Sequence, residues 1–348
     1  MLICVFLERA VLGKSFFVKL LTLRYRLFGI EQYIIDPDRE YTKLCESLGG
    51  TILKIGPTSN TYVNIFDIRE ESIEENKGYL ATKITKLIGF FHLIFGELKE
   101  DEKSILEQKI IKLYEKKEIN FEDESLYKIQ KGKKVFKESK DMPILEEFYE
   151  ILNDNKTKIF QIKLNPFVKG SLKFFNHHTN IELKNKLIVA DVYELEEENL
   201  KFGMYLFTEL FWDKIKFDRN IKKAIYLDEV WRLIGITSNK EVASFIYKIF
   251  KTIRKYGGSA VAITQDVSDL FSLEEGIYGK SILNNSSIKS FFSLEEENIS
   301  LLSNYTNLSE REKIEIKSLK RGECLLFVGD DHILTKIDCS KYEKQQIS

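Results

Sequence analysis

Short continuous apolar runs alternate with stretches of helical periodicity along most of this chain. Runs at 2–7, 33–36, 51–55, 187–191, 224–229 and 260–264 are rich in Ile, Val, Leu and Ala, several end in a polar residue, and 288–294 is a further predicted strand. Unbroken apolar runs of four to six residues suit central strands buried on both faces. Between them, the segment after Lys14 repeats Phe17, Leu20, Leu21 and Leu27 at helical spacing, and Arg39 to Leu48 reads as a helix closed by Gly49-Gly50. Further helices are predicted over 198–216, 240–256 and 309–319, with a hairpin-like pair at 323–328 and 332–338. This alternation predicts an α/β fold. Strands 2–6, 33–36, 187–191, 224–228 and 260–264 are expected in one mostly parallel sheet flanked by helices.

The pattern breaks in the middle. From about 71 Glu and Lys dominate, and helical stretches are predicted over 78–96, 101–117 and 143–153, with Lys131 to Lys140 as a charged loop. The expected map is a core of 1–74 and 166–348 interrupted by an all-α insertion over 75–165, which lends no strand to the central sheet. The longest apolar stretch, Gly78 to Gly96, is interrupted by Lys83 and Lys86, whereas about 18 apolar residues are needed to span a bilayer. Its Leu80, Ile84, Leu87, Ile88, Phe91 and Phe95 fit an amphipathic helix.

Composition narrows the function by exclusion. With 53 basic and 54 acidic residues the net charge is −1, so no global field favours nucleic acid or an anionic membrane, and any DNA contact would need a local patch. Cys4, Cys45, Cys324 and Cys339 lack metal-ligand spacing, which fits a reduced, intracellular protein. The N-terminus has no signal-peptide pattern and opens directly on a buried strand, which reads as truncation ahead of it.

Chemistry concentrates at the ends of predicted strands. Ala-Ile-Tyr-Leu runs into Asp228 and Glu229, the arrangement in which one carboxylate serves a magnesium shell and its neighbour an attacking water. Far upstream, Gly13-Lys14-Ser15-Phe16 opens a helix, as in the back half of a phosphate-cradling loop. There the lysine reaches phosphate, the serine hydroxyl reaches Mg2+, and the helix N-terminus faces the anion. The front half departs from that pattern. Glu8 stands where the first glycine belongs, and Val11 and Leu12 crowd the turn. The 260–264 strand ends in Thr264-Gln265, so Gln265 is a candidate γ-phosphate sensor; Thr264, Asp266 and Ser268 equally suit a helix cap. Arg254 and Arg321 are candidates for a charge-stabilising arginine, in cis or from a neighbouring subunit, and each also reads as a solvated charge.

Together these segments resemble the ATPase domain of conjugal transfer and type IV secretion ATPases of the VirB-four, TraC and TraE kind, within the HerA/FtsK-like P-loop motors. The resemblance rests on the Gly13–Leu20 segment, Ile35-Asp36-Pro37-Asp38-Arg39-Glu40-Tyr41, Leu44 to Gly50, Asn64 to Ile68, Leu187 to Leu195, Tyr226-Leu227-Asp228-Glu229-Val230-Trp231, Arg254 to Gly258, Ile263-Thr264-Gln265 and Gly322 to Leu326. It implies a RecA-like fold and an ATP- and Mg2+-dependent hydrolase. Gly13, Lys14, Ser15 and Phe16 would hold nucleotide, Ser15 and Asp228 the Mg2+, and Glu229, Gln265 and Arg254 would serve catalysis. It also implies a hexamer at the cytoplasmic face of the membrane, partnered with the transfer complex. Two other readings stay open: a DNA-pumping translocase of the same superfamily, and a catalytically impaired fragment kept as a binding or assembly module. A frameshift around codons 4–13 would account for a departure that ends abruptly at Gly13.

Overall fold

The strand-forming runs are buried almost completely: Ile34, Ile35, Val189, Ala190, Ile225, Leu227, Val261 and Ile263 have essentially no exposure. In the computed structural model, which describes residues 3–7, 13–72, 78–235, 237–265 and 267–347, they form the middle of one nine-stranded sheet. The strands in chain order are β1 (Ile3–Leu7), β2 (Glu31–Asp36), β3 (Thr51–Lys54), β4 (Tyr127–Gln130), β5 (Lys133–Phe136), β6 (Leu187–Asp191), β7 (Lys223–Leu227), β8 (Gly258–Thr264), β9 (Ile288–Phe291), β10 (Glu323–Val328) and β11 (Asp331–Lys336). The large sheet runs β11-β10-β9-β1-β8-β7-β2-β6-β3. β1 pairs in parallel with β8 and β9, β2 with β6 and β7, and β7 with β8; β10 is antiparallel to both β9 and β11. The five expected strands therefore share one mostly parallel sheet. Their carboxyl ends all lie at one edge, where open α/β sheets bind ligands.

The chain divides into two compact units. One comprises residues 1–53, 184–193 and 218–348, and its core packs Val18, Ile34, Tyr41, Val189, Tyr226 and Ile263 together. The other comprises 54–183 and 194–217 and is mainly helical, with helices Tyr79–Phe95, Glu100–Glu115, Leu145–Ile151, Lys158–Val168 and Glu197–Phe217. This second unit is larger than the expected 75–165 insertion. The long helix Glu197–Phe217, expected in the core, belongs to it.

Nor is it all-α. The expected charged loop over 131–140 is corrected to a hairpin, β4–β5, whose turn places Lys131 and Gly132 at φ 51° and 75°. Two consecutive positive φ values match the twist of a two-residue hairpin turn. Its lysine-rich composition masked the strand-forming Tyr127, Ile129, Val135 and Phe136. The Phe136 ring packs edge-on to Tyr127 at 5.3 Å and lies 5.7 Å from Tyr79. The hairpin is a sheet of its own and adds nothing to the nine strands.

Around an aromatic core that includes Phe91 stacked on Phe148 at 4.6 Å, the helical unit also buries charge. Lys83 and Lys86, which interrupt the apolar run in sequence, are 4% and 8% exposed. Lys83 pairs with Glu209 at 2.6 Å, Lys86 with Asp213 at 2.8 Å, and Arg69 with Asp213 at 3.1 Å. The Tyr79–Phe95 helix is thus buried on nearly every side, where an amphipathic stripe was expected. Among the described residues no helix is long and apolar enough to cross a membrane.

Candidate functional site

Four neighbouring strands, β1, β8, β7 and β2, deliver the polar residues of the sheet edge. The helix Lys14–Leu27 follows β1 with Gly13 as its N-cap, and the Phe17 amide donates to the Gly13 carbonyl at 2.8 Å. A side chain at Gly13 would press within 3.1 Å of the Phe292 ring, so glycine is the residue that fits. Loop positions 8–12, including Glu8, Val11 and Leu12, lie outside the described residues.

Lys14 turns inward and is 3% exposed. Its ammonium donates to Glu229 Oε1 at 2.9 Å and stands 3.6 Å from Asp228 Oδ1. Burial by itself favours the neutral amine, but the Asp228 and Glu229 charges outweigh it and hold the Lys14 pKa above its ordinary value. Asp228 follows directly on β7. Burial raises its carboxyl, Lys14 lowers it, Glu229 raises it again, and the result is pushed up to about 6. Two donors orient it: the Tyr41 hydroxyl donates to Oδ2 at 3.0 Å, and the Glu229 amide donates to Oδ1 at 3.0 Å.

Glu229 adopts φ +49°, a left-handed conformation uncommon outside glycine. Observed strain of this kind concentrates at functional turns. Both oxygens of its carboxylate are engaged. Oε1 accepts from Lys14 and from Gln265 Nε2, each at 2.9 Å; Oε2 accepts from Trp231 Nε1 at 2.7 Å and from the Gln265 amide at 3.4 Å. Gln265, at the end of β8, therefore touches Glu229 through side chain and backbone alike.

A cleft of about 790 Å³ opens beside this cluster. Gly13, Lys14, Ser15, Phe16 and Arg321 are among the residues that line it. Ser15, which lines the cleft, and Asp228, buried and 3.6 Å from Lys14, carry hard oxygen donors, the type Mg2+ prefers while keeping several waters. Glu40 also lines the cleft, and its buried Oε2 finds no hydrogen-bond partner among the described residues. These donors fit a Mg2+-bearing polyphosphate.

The sequence candidates are thus brought together at one edge, with one exception. Arg254 sits exposed in the 3-10 turn Ile253–Tyr256 ahead of β8. The seven residues of β8 separate it from Gln265 by about 20 Å at ~3.3 Å per residue. The cis role for Arg254 is therefore corrected: it stands at the opposite end of the strand from the site. Arg39, expected to begin a helix, instead takes φ 57° and pairs with Asp191 at 2.7 Å.

Sequence reasoning missed several groups at this edge. Tyr41 was read only as part of a matching segment, yet it bridges the two halves of the site. Its amide donates to Asp36 and its hydroxyl to Asp228. Asp36, at the end of β2, is pushed up to about 7 chiefly by burial, against the backbone donors that lower it. Lys19, Lys336, Lys341 and Lys344 also face the cleft. The last three carried no motif signal.

Comparison with known proteins bears on the family and the fold. The family model described as the TraG P-loop domain matches residues 5–325. Protein TraC of Escherichia coli (strain K12) is 24% identical over 266 residues, covering 74% of this chain and 28% of TraC, so the chain spans under a third of that relative's length. The structure of VirB4 of Thermoanaerobacter pseudethanolicus superposes with a TM-score of 0.88 at 28% identity, covering 99% of this chain and 91% of that one. The plasmid coupling protein TrwB, solved in complex with the ATP analogue ADPNP, gives a TM-score of 0.60 at 11% identity over 97% of this chain and 85% of its own, a likeness that bears on the fold alone. With its RecA-like sheet and with Lys14, Asp228 and Gln265 at one edge, this chain belongs to the TraG P-loop domain family of conjugation and type IV secretion proteins.

Proposed function

We propose that this chain is an ATP-binding and ATP-hydrolysing motor domain that energises conjugative DNA transfer or type IV secretion. The observation that carries the reading is the convergence of Lys14, Asp228, Glu229 and Gln265 beside a cleft rimmed by Ser15 and Arg321. Lys14 is held between two carboxylates, so an incoming γ-phosphate offers it a stronger anionic partner. Its departure frees Oε1 of Glu229 to accept a proton from water, while Gln265 stays within reach of both that oxygen and the cleft. When bound, Mg2+ would neutralise phosphate charge next to Ser15 and Asp228. Assembly as a hexamer at the cytoplasmic face of the membrane, with the transfer complex as partner, belongs to the same reading.

The test is nucleotide binding and phosphate release by the purified chain, with Lys14→Ala and Glu229→Gln as controls. Lys14→Ala should abolish binding; Glu229→Gln should keep binding and lose turnover. A parent chain with neither activity, loop restored or not, would sink the reading. One feature favours a second reading, in which the chain is an impaired fragment acting as a binding or assembly module. Glu8 puts a carboxylate where the phosphate loop requires glycine.

A further inference from the structure

Between Glu229 and the second cleft at this edge stands a residue that the hydrolysis scheme leaves without a role. Trp231 opens the short helix Trp231–Ile234 two residues after the left-handed turn at Glu229, and its indole N–H donates to Glu229 Oε2 at 2.7 Å. The Arg232 guanidinium lies over the same ring, 4.6 Å from its centre. Trp231, Arg232, Glu229, Gln265 and Asp38 line a cleft of about 510 Å³, and Gln265 lines this cleft as well as the one that holds Lys14.

Among the described residues, the four donors to the Glu229 carboxylate divide into two kinds. Lys14 and Gln265 Nε2 occupy Oε1, the oxygen on the nucleotide side, and Lys14 has another destination once phosphate is bound. Trp231 Nε1 and the Gln265 backbone amide occupy Oε2, and neither is the side-chain group through which a residue of this site would meet phosphate. Once Lys14 leaves, the flexible Gln265 side chain is the donor that remains on Oε1 among the described residues, and it alone would leave the carboxylate free to turn. A rigid indole with one N–H, packed under a guanidinium, prevents that. A hydrogen bond to a charged acceptor is also worth more than a neutral one.

We infer that Trp231 is a positioning residue: it pins Oε2 of Glu229 so that Oε1 stays directed at the nucleotide cleft when Lys14 leaves. The inference rests on Glu229 as the water-activating base, and the test separates the two. In the full chain, with and without the phosphate loop restored, Trp231→Phe should lower kcat for ATP at least tenfold. KM, and the affinity for a non-hydrolysed ATP analogue, should stay within about twofold, and Trp231→His, which keeps a ring N–H, should recover part of the rate. An unchanged kcat overturns the inference. So does a parallel loss of turnover and analogue binding, because that is the mark of a merely structural residue. If neither parent hydrolyses ATP, the motor reading fails and the inference is decided by NMR. The chain has two tryptophans, and the indole N–H resonance lost in Trp231→Phe identifies the Trp231 signal. That resonance should shift upfield in Glu229→Ala; a resonance that stays in place overturns the inference.

Discussion

Lys14 and Glu229, 215 positions apart, are joined by a 2.9 Å ion pair in which both side chains are almost fully buried. Buried pairs cost desolvation on both sides, and removing one partner typically destabilises by 3–5 kcal/mol because the other charge is stranded. Lys14→Met leaves Glu229 and Asp228 side by side without a cation. The expected result is a loss of about 3 kcal/mol in the ligand-free chain, much of it recovered in Lys14→Met/Glu229→Gln. Urea denaturation of the four proteins of this cycle measures it. Equal stability of Lys14→Met and the parent would show that the pair carries no stabilising coupling.

How far this site was legible depended on whether a residue's role followed from its own strand. Asp228, Glu229 and Gln265 each lie within two residues of the end of a run of four buried apolar residues, so the sheet edge that holds them could be read from local pattern. Tyr41 could not be placed in this way. Its hydroxyl reaches Asp228 across 187 positions, through the adjacency of β2 and β7, and no spacing rule encodes that pairing. Arg254 failed for the converse reason: it lies close to Gln265 in sequence, but a strand runs between them and sends it to the far end of the sheet. In the helical unit, Lys83 and Lys86 read as breaks in an apolar run because their acidic partners, Glu209 and Asp213, lie more than a hundred residues downstream. The hairpin was hidden because Lys128, Lys131, Lys133 and Lys134 dilute its strand-forming residues.

The phosphate loop makes a prediction about affinity. Side chains where a loop needs positive φ or close phosphate approach cost about 1–3 kcal/mol. A loss of about 3 kcal/mol is already more than a hundredfold in affinity. The chain as it stands should therefore bind Mg2+-ATP weakly, and restoring Gly-x-Ser-Gly-x-Gly-Lys-Ser across positions 8–15 should tighten binding at least tenfold by calorimetry. Tight binding by the unaltered chain, abolished by Lys14→Ala, would refute the damaged-loop argument.

Asp213 is the hub of the buried charges in the helical unit. It faces Arg69 at 3.1 Å, Lys86 at 2.8 Å and Lys216 at 3.3 Å. Burial alone would raise its carboxyl, but Lys86, Lys216 and Arg69 together hold it far below the usual carboxylate range. Asp213→Asn keeps the shape and removes an anion that all three cations share. It should destabilise the chain by about 3–5 kcal/mol, the cost of uncompensated buried charge, and more than Asp154→Asn, whose exposed pair with Lys109 contributes little. Equal midpoints for the two variants in urea would show that the network carries no special weight.

Lys83 gives a pH dependence of unusual sign for a paired lysine. Burial lowers its pKa, Glu209 raises it, Arg69 and Lys86 lower it again, and the outcome is a fall from 10.5 to about 8. The folded chain therefore gives up this proton near pH 8, whereas the unfolded chain keeps it to about 10.5, so between those values the unfolded state binds more protons. Stability contributed by this group must then rise with pH across that window, by about 3 kcal/mol if the whole shift is expressed at ~1.4 kcal/mol per pH unit. Buried tyrosines such as Tyr114 and Tyr205, raised well above their ordinary values chiefly by burial, work in the opposite direction at the alkaline end. The quantity to follow is thus the difference between the parent and Lys83→Met, in which the tyrosine contributions cancel. Urea midpoints at pH 7.5, 9 and 10 should show the parent gaining steadily on the variant. A difference that stays constant across the three would mean that Lys83 remains charged in the folded chain, with Glu209 outweighing its burial.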